Sequence, residues 1–337
     1  MSELWRSQRS SYQESLNYLK GRQNGTITSF VLPWGSVNNA TVGGIEWHSM
    51  VLIGGRPAAG KTLLKDQIIR ESFRLNPKED FRVLEFSLEM IGRNTAIRAY
   101  TSELGINYKQ ICSAEGTLSD ANLSRCRDYA LEAIKNPVDT VEKAPTVIEF
   151  QYIVEEYMKK FSKQVKRQVK QKNGNITEVP FTEYTKTVIT VDHSILIKCG
   201  ERQSRNEMLY EFGETLTALK RRYPIIFLIL SQLNRDIERP ERNEDGKYGN
   251  YILPSDIFGG DALLQHCDLA LGINRPGKQK IRFYGAERYI IDDDRLLALH
   301  FLKSRNGDVG VTFFTAAFEK MQLIEREAPD QQATKHF

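Results

Sequence analysis

Residues Gly55, Arg56, Pro57, Ala58, Ala59, Gly60, Lys61 and Thr62 spell a glycine-rich loop closed by a lysine and a hydroxyl residue. An apolar run, 50–53, precedes the loop and reads as a buried strand. Leu63, Leu64 and Ile68 follow it at helical spacing. Strand before and helix after is the context a phosphate-binding loop requires. The glycines let backbone amides approach phosphate oxygens, and the helix N-terminus adds partial positive charge. Lys61 would reach the β- and γ-phosphates, and the Thr62 hydroxyl would ligate Mg²⁺. The stretch from Gly55 to Leu63 is therefore expected to hold a nucleoside triphosphate.

Such a site needs further groups from neighbouring strands. A carboxylate must serve the metal from an adjacent strand end, and Asp192 closes the run Thr-Val-Ile-Thr-Val-Asp. Hydrolysis needs a group that polarises water. Glu89, in Leu-Glu-Phe-Ser-Leu-Glu-Met, would face the same edge unless it is a solvated loop glutamate. The apolar run 225–230 turns polar at Ser231 and Gln232, where an amide could sense the γ-phosphate or simply solubilise the strand end. Lys303 and Arg305, two apart before Asn306-Gly307, point to one face. They are either exposed and inert or inserted into a neighbour's nucleotide site. There a cation on the transferring phosphate is worth about 10³ to 10⁵ in rate. The triple Asp292-Asp293-Asp294 reads as a solvated turn, since consecutive residues point in different directions. His193 reads as a packed or hydrogen-bonded histidine.

The elements that must position these residues follow from the hydrophobic pattern. From residue 50 onward, strand-like runs at 50–55, 81–88, 187–192, 225–231 and 267–273 alternate with helical patterns such as 63–74 and 205–222. That alternation predicts an α/β fold, a mostly parallel sheet with helices on both faces. Residues 296–318 read as two strands joined at Asn306-Gly307. Residues 1–24 predict a helix with Trp5, Tyr12, Leu16 and Leu19 as its apolar stripe, which must either fold back or dock on another subunit. Two segments fall outside the rhythm. One is 159–172, with seven basic residues and no acidic one, running into the turn signal Asn173-Gly174. The other is the polar stretch 235–254, long for a structureless loop in a compact domain.

The bulk numbers restrict the class. The chain has 337 residues, 40% hydrophobic, enough for one large core or two modest ones. A net charge of +4 permits a polyanionic partner without demanding one. The four cysteines form no Cys-x-x-Cys, and no spacing suggests a zinc site or disulfide framework. Reduced thiols and a cytosolic compartment, bacterial or that of a phage-infected host, are expected. The first residues lack the apolar core of a signal peptide, and no run approaches the roughly 20 residues a membrane span needs.

Together these motifs resemble the RecA-fold motor domain of DnaB-like replicative helicases. Gly-Arg-Pro-Ala-Ala-Gly-Lys-Thr is similar to that family's P-loop, including its Arg56-Pro57 pair. Phe-Ser-Leu-Glu-Met at 86–90 looks like the motif of the catalytic glutamate, which implies Glu89 as the base. Ile-Thr-Val-Asp-His implies Asp192 at the Mg²⁺, and Leu-Ser-Gln-Leu-Asn-Arg implies Gln232 as the γ-phosphate sensor. Lys-Ser-Arg-Asn-Gly at 303–307 resembles the turn whose cations reach the adjacent subunit's ATP, implying Lys303 and Arg305 as trans-acting fingers. The resemblance runs from about residue 30 to 324. It implies a RecA-like core preceded by a linker helix, and a homo-oligomeric ring, expected to be a hexamer. The activity implied is ATP- and Mg²⁺-dependent movement on single-stranded DNA and unwinding of forked duplex, 5′ to 3′. A primase, a helicase loader or a polymerase are the implied partners.

The expected organisation is a linker helix and loop over 1–28, a motor over 29–326 with an insertion at 159–180, and a flexible tail over 327–337. The family's collar domain has no counterpart here, so a compact motor from a phage or other mobile element is expected. The family's DNA-binding loop is also altered. In the corresponding stretch, 255–268, Phe258 and Gly259 replace its arginine and glutamate. Amides of Phe258, Gly259 and Gly260 could still hold phosphates, or the Phe258 ring could stack on a base. Two rivals stand beside the helicase: a strand-exchange recombinase on the same core, and a nucleotide-gated scaffold or loader that is not a motor.

Overall fold

The computed structural model describes residues 7–170, 176–247 and 250–332. Trp5 of the N-terminal stripe, the Asn173-Gly174 turn, residues 248–249 of the polar stretch and the last five residues of the tail lie outside the described residues. In chain order the helices are α1 (Gln8–Gln23), α2 (Gly35–Asn39), α3 (Lys61–Leu75), α4 (Gly92–Leu104), α5 (Tyr108–Ile111), α6 (Asp120–Ala133), α7 (Val147–Lys160), α8 (Arg205–Arg222) and α9 (Gly260–Leu264). The strands are β1 (Ser49–Gly55), β2 (Phe81–Ser87), β3 (Val138–Val141), β4 (Ser162–Lys170), β5 (Ile176–Tyr184), β6 (Lys186–Asp192), β7 (Ile225–Gln232), β8 (Leu269–Asn274), β9 (Phe283–Tyr284), β10 (Tyr289–Ile290), β11 (Leu296–Ser304), β12 (Gly310–Ala317) and β13 (Gln322–Arg326).

Among the described residues, nine strands form one sheet in the order β13-β12-β11-β8-β1-β7-β6-β2-β3. The pairings from β8 to β3 are parallel, and β11, β12 and β13 extend the sheet antiparallel. The central strands are continuous apolar runs because both their faces are covered. In β1, Val51 and Ile53 enter one core with Leu64 and Ile68 of α3, while Met50 and Leu52 enter the other with α7 and α8. In β7 the same period of two sends Ile226, Leu228 and Leu230 one way and Ile225, Phe227 and Ile229 the other. Helix α8 begins with a capping box, Ser204 to Glu207, and α7 with another, Thr146 to Glu149.

The structure adds elements that the hydrophobic pattern did not reveal. Strand β3 is a four-residue edge, mostly exposed, and so carries no apolar signal. The basic segment is half of a hairpin, β4 paired with β5, separate from the main sheet. The polar stretch after β7 is a chain of short 3₁₀ turns held by Arg242, whose guanidinium makes two 2.9 Å contacts to the buried Asp256. The N-terminal stripe is not folded back. Tyr12, Leu16 and Leu19 are 64%, 60% and 60% exposed, although the last turns of α1 are tethered. Tyr18 donates to Glu46, and Arg22 donates to Ser29 at 2.9 Å and to the Val42 carbonyl at 2.8 Å. Among the described residues, no helix is long and apolar enough to cross a membrane.

Candidate nucleotide site and its surroundings

The parallel register aligns four strand ends on one edge of the sheet. Gly55 of β1 pairs with Gln232 of β7, and Ser87 of β2 pairs with Asp192 of β6. Adjacent strands are about 4.8 Å apart, so β1, β7, β6 and β2 present their C-terminal ends within roughly 15 Å. Lys61, Thr62, Glu89, His193 and Gln232 accordingly line one cleft of about 430 Å³.

The loop's shape explains its glycines. Gly60 has φ 106°, in the left-handed region, and forms the N-cap of α3 without a side-chain cap, which leaves the first amides of the helix for a ligand. A Cβ at Gly55 would lie 2.6 Å from Ile273 and 2.9 Å from the Lys61 side chain. The Lys61 ammonium spans the loop, donating to the carbonyls of Gly55 at 2.7 Å and Arg56 at 3.0 Å. Burial lowers its pKa, against the pull of Asp192 and Glu89. An incoming polyphosphate would reverse that shift by supplying negative charge at the ammonium.

Asp192 is buried at the end of β6, and burial raises its pKa against the opposing effect of Lys65 and a hydrogen bond from Thr62. Its Oδ1 is buried without a hydrogen-bond partner among the described residues. A hydroxyl and an orphaned carboxylate oxygen are the hard oxygen donors that Mg²⁺ takes, so the donor set fits that ion. Glu89 lies two residues beyond β2, its side chain 59% exposed and facing the cleft, with Oε2 3.8 Å from His193 Nε2. The Leu88 amide donates to the Asp192 carbonyl at 3.1 Å and so ties this turn to the end of β6.

Sequence reasoning missed three features of the site. His193 is hydrogen-bonded, one of the two roles expected of it, but its partners were not foreseen. The Gln232 amide donates to its Nε2 at 3.2 Å, so one imidazole touches both Gln232 and the neighbourhood of Glu89. The Nδ1 on the other side of the ring is buried without a hydrogen-bond partner among the described residues. Burial lowers its pKa accordingly, against the opposing charges of Glu89 and Asp192. Lys65, one turn after Lys61, is buried and contacts Asp66 at 2.9 Å and Glu85 at 3.1 Å. Burial alone would lower its pKa, but the carboxylates of Asp66, Glu85 and Asp192 raise it. The signal available was Glu85 inside an apolar strand. Arg98 and Arg275 also line the cleft, though Arg98 is 3.8 Å from Asp66 and Arg275 is 3.1 Å from Asp294.

Lys303 and Arg305 are not in this cleft. Lys303 pairs with Ala270, whereas Ile273 pairs with Gly55, which puts the cations about 10 Å back along the sheet from the loop, at its opposite edge. There Lys303 donates to the Leu264 carbonyl, and Arg305 is 3.2 Å from Asp268, its side chain half exposed. The 258–260 stretch differs from expectation. The Phe258 amide donates to the Gln232 carbonyl at 2.8 Å, and the Gly260 amide to the Ile257 carbonyl at 2.8 Å. These two amides are therefore already used and are not available to phosphates. The Phe258 ring is partly buried and packs against the core that includes α8. Gly259 sits at φ 63° in a left-handed turn that favours glycine, and a Cβ there would also have to displace the Leu209 methyl, 2.3 Å away. Within the Asp292–Asp294 triple, Asp293 accepts from the Arg295 amide at 2.8 Å and Asp294 pairs with Arg275. No cluster of three or more metal-ligating side chains occurs there or elsewhere among the described residues.

A sequence profile of the DnaB-like helicase C-terminal domain matches residues 36–323. The chain is 27% identical over 261 residues to the replicative DNA helicase DnaB of Helicobacter pylori, an alignment covering 76% of this chain and 46% of that relative. It is 23% identical over 321 residues to the replicative DNA helicase DnaC of Bacillus subtilis, covering 94% of this chain and 60% of that one. The chain thus spans about half the length of the curated relatives it matches. Among solved structures, an isolated ATPase domain superimposes with a TM-score of 0.73 at 17% identity, over 94% of this chain and 98% of that one. A DnaB-like replicative helicase, described with its interactions with primase, superimposes with a TM-score of 0.69 at 17% identity, over 89% and 64%. These likenesses establish the RecA-like α/β fold.

Proposed function

The chain belongs to the DnaB-like helicase C-terminal domain family, and from that premise we propose that it is the ATP-driven motor of a ring-shaped replicative DNA helicase. In this reading residues 1–28 are the linker helix and loop, 29–326 the motor and 327–337 a tail. The observation that carries it is the alignment of Lys61, Thr62, Asp192, Glu89 and Gln232 on one sheet edge, with Lys303 and Arg305 on the other. One protomer then has phosphate-binding groups without its fingers. A ring supplies both halves at each interface.

The amides of the Gly55–Leu63 loop and Lys61 would hold the triphosphate of ATP. Thr62 and Asp192 would hold Mg²⁺, which when bound neutralises charge between the β- and γ-phosphates. Glu89 would take a proton from the attacking water as the bond between γ-phosphorus and the bridging oxygen breaks, with ADP leaving. Gln232 would sense the γ-phosphate. Because His193 touches Gln232 and faces Glu89, loss of that phosphate would be felt at the base as well. The Gln232 carbonyl is also bonded to the Phe258 amide, so movement of the sensor is passed to the 258–260 turn. Lys303 and Arg305 would stabilise transition-state charge in the neighbour. The exposed stripe of α1 would dock on an adjacent motor. Family membership supports movement on single-stranded DNA 5′ to 3′, hexameric assembly, and a primase, loader or polymerase partner as parts of this reading.

The test is unwinding of a forked duplex with a free 5′ tail, with the Glu89→Gln protein as control. Wild-type unwinding, with a variant that binds ATP but turns over about 10² to 10⁴ more slowly, is expected. Normal turnover by the variant would remove Glu89 from the mechanism. A second reading, a nucleotide-gated scaffold, is favoured by the internally bonded amides of Phe258 and Gly260. ATP hydrolysis unaffected by single strands would support it.

A further inference from the structure

The β4–β5 hairpin lies outside everything the nucleotide site needs. It fills the connection 161–185 between α7 and β6, where helix-to-strand links are usually about 2 to 6 residues. Among the described residues its strands pair only with each other, from Ser162 opposite Tyr184 to Lys170 opposite Ile176, and β5 is almost wholly exposed. It grows from the start of β6 at Lys186, whereas the nucleotide cleft lies at that strand's other end, Asp192.

Its charge is the unusual property. Residues 161–185 contain five basic and two acidic residues, whereas the whole chain carries a net charge of +4. The rest of the molecule is therefore close to neutral, and most of the chain's net positive charge lies on this connection. The signs also separate by strand. Strand β4 carries Lys163, Lys166, Arg167 and Lys170 and no acid, whereas Glu178 and Glu183 lie on β5. By strand alternation, positions 163 and 167 fall on one face and 166 and 170 on the other, so basic positions occur on both faces of β4 over about 23 Å. Lys163 pairs with Asp80 at 3.2 Å and Lys166 with Glu178 at 3.4 Å. Such exposed ion pairs contribute little and yield to a denser array of charge.

We propose that this hairpin is a second DNA contact, a basic ribbon that holds the phosphates of duplex DNA at a fork. This rests on the helicase reading above. A partner must present closely spaced negative charge along about 20 Å or more. Duplex DNA carries one charge per about 1.7 Å of axis, and its major groove, about 12 Å wide, admits a two-stranded ribbon. Lysine on a strand edge can also serve only to prevent edge-to-edge aggregation, and the test must separate the two roles.

The experiment measures binding of the full chain to fluorescent 30-base-pair duplex and to single strands across a salt series. Wild type is compared with the variant Lys163→Gln, Lys166→Gln, Arg167→Gln, Lys170→Gln, and with Glu178→Gln, Glu183→Gln. The basic-residue variant is expected to bind duplex at least tenfold more weakly, with a log–log salt slope shallower by about 3 to 4. Its single-strand affinity and DNA-free ATP hydrolysis should stay unchanged. The acidic-residue variant should bind duplex more tightly, which a folding defect could not mimic. An unchanged duplex slope in a variant that aggregates would overturn the proposal in favour of edge protection. Equal weakening on single strands and duplex would overturn the duplex assignment. A wild-type protein that binds no DNA would remove the helicase reading too, whereas a wild type that unwinds forks alongside an unaltered basic-residue variant would remove only the hairpin's role.

Discussion

At the scale of residues, the distribution of cations relative to the cleft decides how the site can work. Lys61 is inside it, partly buried and bonded to its own loop, while Arg305 is across the sheet with its guanidinium beside Asp268. No rotamer of Arg305 spans the sheet to its own phosphate loop, so any catalytic role must be exercised in another subunit. Arg305→Ala is expected to lower ATP turnover by about 10³ or more. Mixing it with Lys61→Ala subunits should restore part of the activity, because the interface between an intact loop and an intact finger is wild type. Absence of rescue in rings that demonstrably mix would argue against the trans role. The residue types at this site were legible because phosphate chemistry restricts them: glycines, one lysine, one hydroxyl and a carboxylate at a strand end. His193 was not legible as a link, since its contacts with Gln232 and Glu89 join strands that are far apart in sequence.

At the scale of elements, α1 carries an apolar stripe that its own motor leaves exposed. Its stripe spacing is regular, yet a helix that buried Leu16 and Leu19 against its own motor would not leave them 60% exposed. Full burial of a leucine is worth about 1.5 to 3 kcal/mol, so docking this stripe on a neighbouring motor, as proposed, would contribute to assembly. Leu16→Asp with Leu19→Asp should shift the protein toward monomer in light scattering after gel filtration, with its melting temperature nearly unchanged. An unchanged assembly with a lowered melting temperature would mean that the helix packs on its own motor in solution. Hydrophobic periodicity can report such a stripe but not what covers it, because the period is the same for either partner.

At the scale of the whole molecule, the antiparallel extension of the sheet creates a third core with a pH-dependent cost. His300 of β11 is fully buried there, its Nε2 2.7 Å from the Tyr284 hydroxyl, and burial pushes its pKa down to about 3. The unfolded chain takes up a proton near pH 6.5 that the folded state refuses. The stability is therefore complete above that pH and is lost as the pH falls from about 6.5 toward 3. Urea unfolding at pH 7 and pH 5 should show wild type losing about 2 kcal/mol more than His300→Gln over that interval. Equal losses would mean that His300 is protonated in the folded protein. Neither its isolation nor the sign of its shift could be read from one histidine in an apolar run.

What the amino-acid sequence determined by itself is whatever short-range physics dictates. The strand, glycine loop and helix at 50–75 follow from backbone sterics and hydrophobic period. The α/β alternation requires a covered parallel sheet, and the spelling of the motifs names the family. Tertiary structure alone decided matters that depend on which distant segments meet. Parallel register brought Gly55, Gln232, Asp192 and Ser87 to one edge, and the antiparallel course of β11 placed Lys303 and Arg305 at the other. Packing on α8 turned 258–260 inward and used two of its amides, although the sequence there reads as an open loop. The Asn173-Gly174 signal already pointed to a hairpin after the lysine run, but only the structure gave the extent of its partner strand and the register of the pairing.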